Sequence, residues 1–346
     1  MYKVKITTGV SERARLIRQT IGGNGISRCG KYQFYINEDI NNPDFWVVRN
    51  KKIKKATTCN IAPENTILMI SEPKTVVRYP NKYRDQFGVF CSCQEGEKHR
   101  NVIYTPPILP WYIGKETPQG YLPTYDQLKE GSTPQKTKLI SVITSNKAFT
   151  QGHQDRIDFV RKLKGYYGDK LDVFGRGIND FEDKWDVLAP YKYHISLENS
   201  SSRYYWTEKL SDCYLTETFP IYFGCKNLSD YFPENAYKKI DIYNFEEAIT
   251  IINKTIADDE YGKNQSSLKR CKDLVLDDYN IFTYITNCCD KLDPSLPKKR
   301  ITLKPSITLL DWHNFYYYFI QRNIFIVKML LKSLFWKKST FKSQYK

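Results

Sequence analysis

The feature that most constrains this chain is an alternation between residues 139 and 224. Leu139-Ile140-Ser141-Val142-Ile143 is a short run of buried-strand type, and Ile157, Val160 and Leu163 recur at helical spacing within Gln154 to Leu163. Leu171-Asp172-Val173-Phe174 reads as a strand ending at Gly175. The pattern then repeats as a strand over 192–197, a helix from about 203 to 216, and a strand over 219–223 ending at Gly224. Parallel strands need a long crossover, normally helical, so this spacing predicts βαβ units. A doubly wound sheet follows, with ligands at the carboxyl ends of its strands.

The first third reads as strands separated by loops and short helices. Residues 2–6 and 32–36 alternate, Thr66 to Ile70 is an apolar run stopped by Pro73, and Phe87 to Cys91 and Val102 to Tyr104 repeat the pattern. This predicts a second α/β domain. Between 115 and 137, Pro118, Gly120, Pro123, Gly131 and Pro134 stand among polar residues in the manner of a linker. The expected division is an N-terminal lobe over 1–137, a nucleotide-binding lobe over 138–303 and a tail over 304–346.

The 346 residues carry a formal charge of +15, which favours anionic partners: nucleic acid, an acidic membrane surface or phosphorylated small molecules. Nine cysteines, an odd number, lie scattered, with only Cys91/Cys93 and Cys288/Cys289 close together, so no disulfide framework is indicated. Cys91 and Cys93 share a face of one predicted strand and read as buried thiols. The four histidines are far apart and no CxxC pair exists, which argues against zinc. His194, inside the strand leading to Glu198, reads as a satisfied core or near-site histidine rather than a general base. Met1 to Ile6 runs directly into a strand without a signal core, so a reducing, cytosolic setting is expected.

Chemistry concentrates in Tyr191 to Leu210. A strand ends near Glu198, a loop of Asn199 and three serines follows, and a helix is expected from about Arg203, with Trp206, Leu210 and Cys213 on one face. Arg203 and Lys209 would then sit beside the partial positive charge of a helix N-terminus. Either Glu208 neutralises Lys209 as a solvated ion pair, or an anion such as phosphate joins the cations. Position at a strand end in a doubly wound sheet favours phosphate.

The same stretch resembles a known family. Leu197-Glu198-Asn199-Ser200, Tyr205-Trp206-Thr207-Glu208-Lys209-Leu210-Ser211-Asp212, Phe219-Pro220-Ile221-Tyr222-Phe223-Gly224 and Asp230-Tyr231-Phe232-Pro233 are similar to the donor-binding block of glycosyltransferase family 10, the α-1,3/4-fucosyltransferases. The likeness extends upstream through Ser145-Asn146, Arg156 to Val160 and Asp172 to Arg176. It continues in register through Ser71-Glu72-Pro73, Phe87 to Phe90, Asn101 to Pro107 and Leu109-Pro110-Trp111. The resemblance implies a GT-B architecture: two Rossmann-like lobes with a cleft between them. It implies an inverting enzyme that moves L-fucose from GDP-β-L-fucose to an acceptor hydroxyl, with α-1,3 linkage to GlcNAc or Glc of a cell-surface glycan expected. Carried over residue by residue, Arg156 and Lys209 meet the diphosphate, Glu208 and Tyr205 the nucleoside or fucose end, Asn199 lies in the adjoining loop, and Glu72 is the general base.

Those roles suit the residues. Charge grows on the leaving diphosphate as the glycosidic bond stretches, so a converging Arg and Lys stabilise the transition state more than the ground state. Glu72, closing an apolar strand beside a proline, can be held rigidly and partly desolvated; by itself it would read as a strand-end surface acid. No two aspartates have Asp-x-Asp spacing, so no bound metal is expected as a requirement. A non-essential Mg²⁺ or Mn²⁺ accompanying the diphosphate is compatible with this, because hard cations bind phosphate with few protein ligands.

Residues 304–346 hold seven lysines and Arg322 against one acid, Asp311, about half of the chain's net charge. Aromatic and aliphatic residues between Trp312 and Trp336 are interrupted by Arg322, Lys328 and Lys332. Such interruption disfavours a spanning helix and fits a basic amphipathic helix at a membrane surface; a terminal helix packed on the lobes is the competing reading. The expected location is cytoplasmic, peripheral at the inner face of the membrane. Nucleic acid is disfavoured because the basic residues crowd the tail and no recognition module appears. The competing functions are a GT-B transferase using another nucleotide sugar and a non-catalytic glycan- or membrane-binding relative. Whether the acceptor is a lipopolysaccharide glycan, a glycoprotein or a free oligosaccharide is not legible.

Overall fold

The computed structural model describes residues 1–9, 12–145 and 150–310, together with Tyr316, Ile320, Asn323, Ile324 and Val327. Asn146 and the tail beyond Leu310, those five residues aside, lie outside what is described, and so does the expected tail helix. The chain divides into two units. Of the described residues, the first contains those within 1–131, 202–208 and 273–310; the second contains those within 132–201 and 209–272, with the five described beyond 315. The division therefore differs from continuous segments over 1–137 and 138–303, since two later segments return to the first unit.

The first unit is built on six parallel strands, β1 (Tyr2–Thr7), β2 (Tyr32–Ile36), β3 (Phe45–Arg49), β5 (Thr66–Met69), β6 (Val89–Ser92) and β7 (Val102–Tyr104), in the order β2-β1-β3-β5-β6-β7. The strand between β3 and β5, β4 (Thr57–Ile61), lies outside this sheet and pairs antiparallel with the distant β15 (Lys299–Leu303). Alternation along each strand serves both faces. Phe45, Val47, Ile67, Met69, Val89 and Cys91 enter one core; Trp46, Val48, Leu68, Ile70 and Phe90 enter the other. A parallel sheet covered on both sides reads as continuous apolar runs for this reason. The first face is closed by Ile281, Phe282 and Ile285, each worth about 1.5–3 kcal/mol of burial. The short helices α1 (Arg13–Ile17) and α2 (Asn81–Arg84) occupy connections between strands.

Residues 115–131 are structured where a linker was expected. They form a hairpin of β8 (Lys115–Thr117) and β9 (Gly120–Leu122), then α3 (Tyr125–Glu130). Thr124 caps α3 reciprocally with Gln127: the Thr124 hydroxyl accepts from the Gln127 N–H and the Gln127 side chain accepts from the Thr124 N–H.

The second unit holds a five-stranded parallel sheet, β10 (Lys138–Ile143), β11 (Asp172–Phe174), β12 (Tyr191–Leu197), β13 (Phe219–Phe223) and β14 (Lys238–Lys239), in the order β11-β10-β12-β13-β14. The crossovers include α4 (Gln151–Tyr167) between β10 and β11, and α5 (Glu208–Leu215) between β12 and β13. Strand order reverses at β10/β12, which places the switch point of a doubly wound sheet beyond Ile143 and Leu197. Further along come α6 (Phe245–Ala257), α7 (Glu260–Lys263), α8 (Gln265–Asp277) and, in the first unit, α9 (Ile281–Cys289). The expected strands and both α/β sheets are present.

Candidate active site

His194 illustrates how β12 is embedded. Its ring is buried and its Nδ1 lies 2.8 Å from the Ser141 hydroxyl on β10. Burial, and then the charge of Lys184, push its pKa down to about 3, so it is a neutral core histidine. Cys91 and Cys93 are likewise buried thiols. The hydrogen bond with Cys288 and then burial raise the pKa of Cys91, and burial raises that of Cys93.

At the carboxyl end of β12 the ladder continues one residue, with the Glu198 N–H donating to Phe223 O at 2.9 Å. This carries the Glu198 side chain into the protein, where it has no exposed surface. A buried carboxylate requires a cation, and Lys209 Nζ meets Glu198 Oε2 at 3.2 Å with a quarter of the lysine side chain exposed. Lys209 is the second residue of α5, beside the positive end of the helix dipole, a placement that costs about 0.3–1 kcal/mol without a counter-charge. Glu198 supplies that charge. The buried face of α5 includes Leu210, Cys213 and Tyr214, and its Asp212 pairs with Lys184 at 2.7 Å.

Arg156 lies on α4 and is 6% exposed; its Nη1 donates to Leu197 O, the last carbonyl of β12, at 3.4 Å. Glycine makes this convergence fit. A Cβ on Gly152, in the first turn of α4, would lie 2.1 Å from Asn199 O, so only glycine lets the helix start touch the loop after β12. Asn199 Nδ2 also approaches His153 Nε2 at 3.4 Å. Gly175, at φ +141°, ends β11 against the end of β10, where a Cβ would overlap Thr144 O. Three of the expected donor-site residues, Arg156, Asn199 and Lys209, thus gather at the switch point of the second unit.

The others belong to the first unit. Glu72 follows β5 in a pinned turn: Asn50 Oδ1 accepts from the Ser71 N–H at 2.9 Å, and Gln94 Nε2 donates to the carbonyls of Glu72 at 2.8 Å and Val77 at 2.9 Å. Glu72 is half-buried beside the buried Pro73, in keeping with a rigid, partly desolvated strand-end acid. Tyr205 is buried and Glu208 half-buried. The expectation that a helix starts near Arg203 is corrected, because α5 begins at Glu208. Tyr204 holds φ +63°, which an α-helix excludes, and stacks on Tyr104 with centroids 5.1 Å apart. Trp206 packs edge-on against Tyr279, and the Arg203 N–H donates to Glu95 at 3.4 Å. Arg203 is therefore a loop residue.

Glu198 is the site residue to which the sequence reading gave no role. Its only signal was a carboxylate at a strand end inside the matching block. Among the described residues, no group of three or more His, Cys, Asp or Glu side chains is placed to hold a metal ion.

The second unit is thus of the doubly wound class that takes ligands at a switch point, here with an arginine and a lysine at the strand ends. Residues 133–269 match the family model described as glycosyltransferase family 10 (fucosyltransferase), C-terminal part. Among curated relatives, the alpha-(1,3)-fucosyltransferase FucT of Helicobacter pylori is 28% identical over 128 residues, covering 36% of this chain and 26% of that protein. The alpha-(1,3)-fucosyltransferase fut-6 of Caenorhabditis elegans is 32% identical over 124 residues, covering 31% of this chain and 30% of that protein. The human 4-galactosyl-N-acetylglucosaminide 3-alpha-L-fucosyltransferase 9 is 26% identical over 136 residues, covering 37% and 36%. The matches span between a quarter and about a third of the length of these relatives. A crystal structure of an alpha1,3-fucosyltransferase aligns over 77% of this chain and 80% of its own, at 18% identity and a TM-score of 0.48.

Proposed function

We propose that this chain is an inverting fucosyltransferase that moves L-fucose from GDP-β-L-fucose to a hydroxyl of an acceptor glycan, with α-1,3 linkage. The observation that carries the reading is the gathering of Arg156, Asn199 and Lys209 at the β12 end, within the segment that matches family 10.

In the proposed reaction the acceptor oxygen attacks C1 of fucose on the face opposite the diphosphate. The bond from C1 to the phosphate oxygen breaks and its electron pair stays with GDP. Arg156 and Lys209 meet the charge that grows there, so no acid is needed on the leaving-group side. The acceptor proton passes to the Glu72 carboxylate, whose pinned turn limits reorganisation as the proton moves. Tyr205 and Glu208 serve the nucleoside or fucose end, and Asn199 the loop beside it. No metal is required in this scheme.

Incubation with GDP-fucose and a panel of oligosaccharides containing galactose, N-acetylglucosamine or glucose, with products read by mass, tests the proposal. A mass gain of one deoxyhexose on an acceptor supports it, and linkage analysis of that product reads the position. Absence of transfer to every acceptor, with stabilisation by UDP rather than GDP, would assign the chain to another donor.

A further inference from the structure

We infer that Glu198 is a positioning residue for the proposed transfer, fixing the Lys209 ammonium where the leaving diphosphate must find it; the inference rests on the fucosyltransferase reading above. Four observations within the second unit converge on it. The Glu198 side chain is wholly buried, and its backbone is held by the bond from its N–H to Phe223 O, so the carboxylate is anchored to the sheet. The pair with Lys209 spans 3.2 Å, and the lysine retains exposed surface while the glutamate has none.

The end of the neighbouring strand is shaped around this carboxylate. Gly224 takes φ +155°, and a Cβ there would lie 2.4 Å from Glu198 Cγ and 2.5 Å from the Tyr222 hydroxyl. The turn is then laced in place: the Tyr222 hydroxyl accepts from the Cys225 N–H at 2.9 Å, and Ser201 Oγ donates to Gly224 O at 2.9 Å. A lysine has a flexible four-carbon stem and a point charge. Charge stabilisation of a leaving group depends on the cation being in place before the bond breaks. Burial of Glu198 supplies that preorganisation, because the carboxylate cannot follow the lysine outward. It also offsets the unfavourable placement of a cation at the start of α5.

A positioning role differs from a binding role in its kinetic signature. Glu198→Gln keeps shape and a hydrogen-bond acceptor while removing the charge. It also removes an anion that opposes diphosphate binding. The expected result is GDP affinity within about threefold of the parent or tighter, an unchanged KM for GDP-fucose, and a kcat reduced roughly tenfold or more, the scale of a weakened preorganised contact. In a Lys209→Met background the same substitution should add no further loss, because Glu198 acts through the lysine.

Parental kcat in a folded Glu198→Gln variant, or losses that multiply in the double variant, would overturn the inference. A merely structural role would lower the melting temperature and weaken GDP binding along with kcat, and that pattern would overturn it too. If Glu198→Gln does not fold, Glu198→Asp keeps the charge on a shorter arm: a reduced kcat with intact GDP binding supports positioning, and parental kcat refutes it. Absence of GDP binding by the parental chain would instead sink the fucosyltransferase reading itself.

Discussion

Arg156 and Lys209 reach the end of β12 by different routes, one from a helix interior and one from a helix start. Because both are held by strand-end groups, Leu197 O and Glu198, each is placed before any ligand arrives. Arg156→Ala should therefore lower the rate of transfer from GDP-fucose by roughly two to three powers of ten, with the circular dichroism spectrum unchanged. His194 supports a separate prediction about stability. Its folded pKa of about 3 lies below the ordinary value of 6.5, so the unfolded chain binds more protons between those limits. Stability contributed by the neutral ring is complete above pH 6.5 and is lost as the pH falls towards 3, at up to about 1.4 kcal/mol per pH unit. Melting temperatures measured from pH 7 to pH 5 should fall less steeply in His194→Asn than in the parent. The character of His194 as a core residue was legible, because a histidine within an apolar strand has few other places to go. The partnership of Glu198 was not, since it depends on Gly224 lying beside it in space.

Among the elements, those with strong local patterns were readable. β10 to β13 carry apolar runs bounded by glycine or polar turns, and α4 carries helical spacing. Features set by tertiary contact were not. The start of α5 is delayed because Tyr204 adopts a left-handed conformation and stacks on Tyr104. β4 finds its partner in β15, which no local pattern announces. The hairpin and α3 were hidden by proline and glycine, although Thr124 and Gln127 carry a capping-box spacing. The close approach of α4 to the loop after β12 gives a prediction at this scale. In Gly152→Ala the added methyl overlaps Asn199 O, so the helix start or the loop must shift, at a cost of about 1–3 kcal/mol. A lower melting temperature accompanied by weaker GDP affinity is expected, read by thermal denaturation with and without the nucleotide.

For the whole molecule, the parallel sheet of the second unit was foreseen from periodicity and an α/β domain was expected ahead of it, with two Rossmann-like lobes implied by the family resemblance, but the division of the chain was not foreseen. A sequence window reports on neighbours in the chain, whereas residues 202–208 and 273–310 pack with the first unit through contacts distant in sequence. Net charge belongs to this scale as well. About half of it lies in 304–346, a segment we propose to hold the protein on anionic membrane. Removing residues after about 305 should reduce sedimentation with vesicles containing anionic lipid, more so at low salt, while transfer to soluble acceptors persists. Equal sedimentation of full-length and shortened chains would contradict that role.

The central claim is that Arg156 and Lys209 form a site for the diphosphate of a guanine nucleotide. Isothermal titration of the full chain with GDP tests it most directly, alongside the Arg156→Ala and Lys209→Ala variants and with UDP as the comparison. The account predicts saturable heat with GDP, weaker heat with UDP, and loss of at least tenfold in GDP affinity in each variant. Absence of heat with GDP, or variants that bind it as the parent does, would contradict the claim.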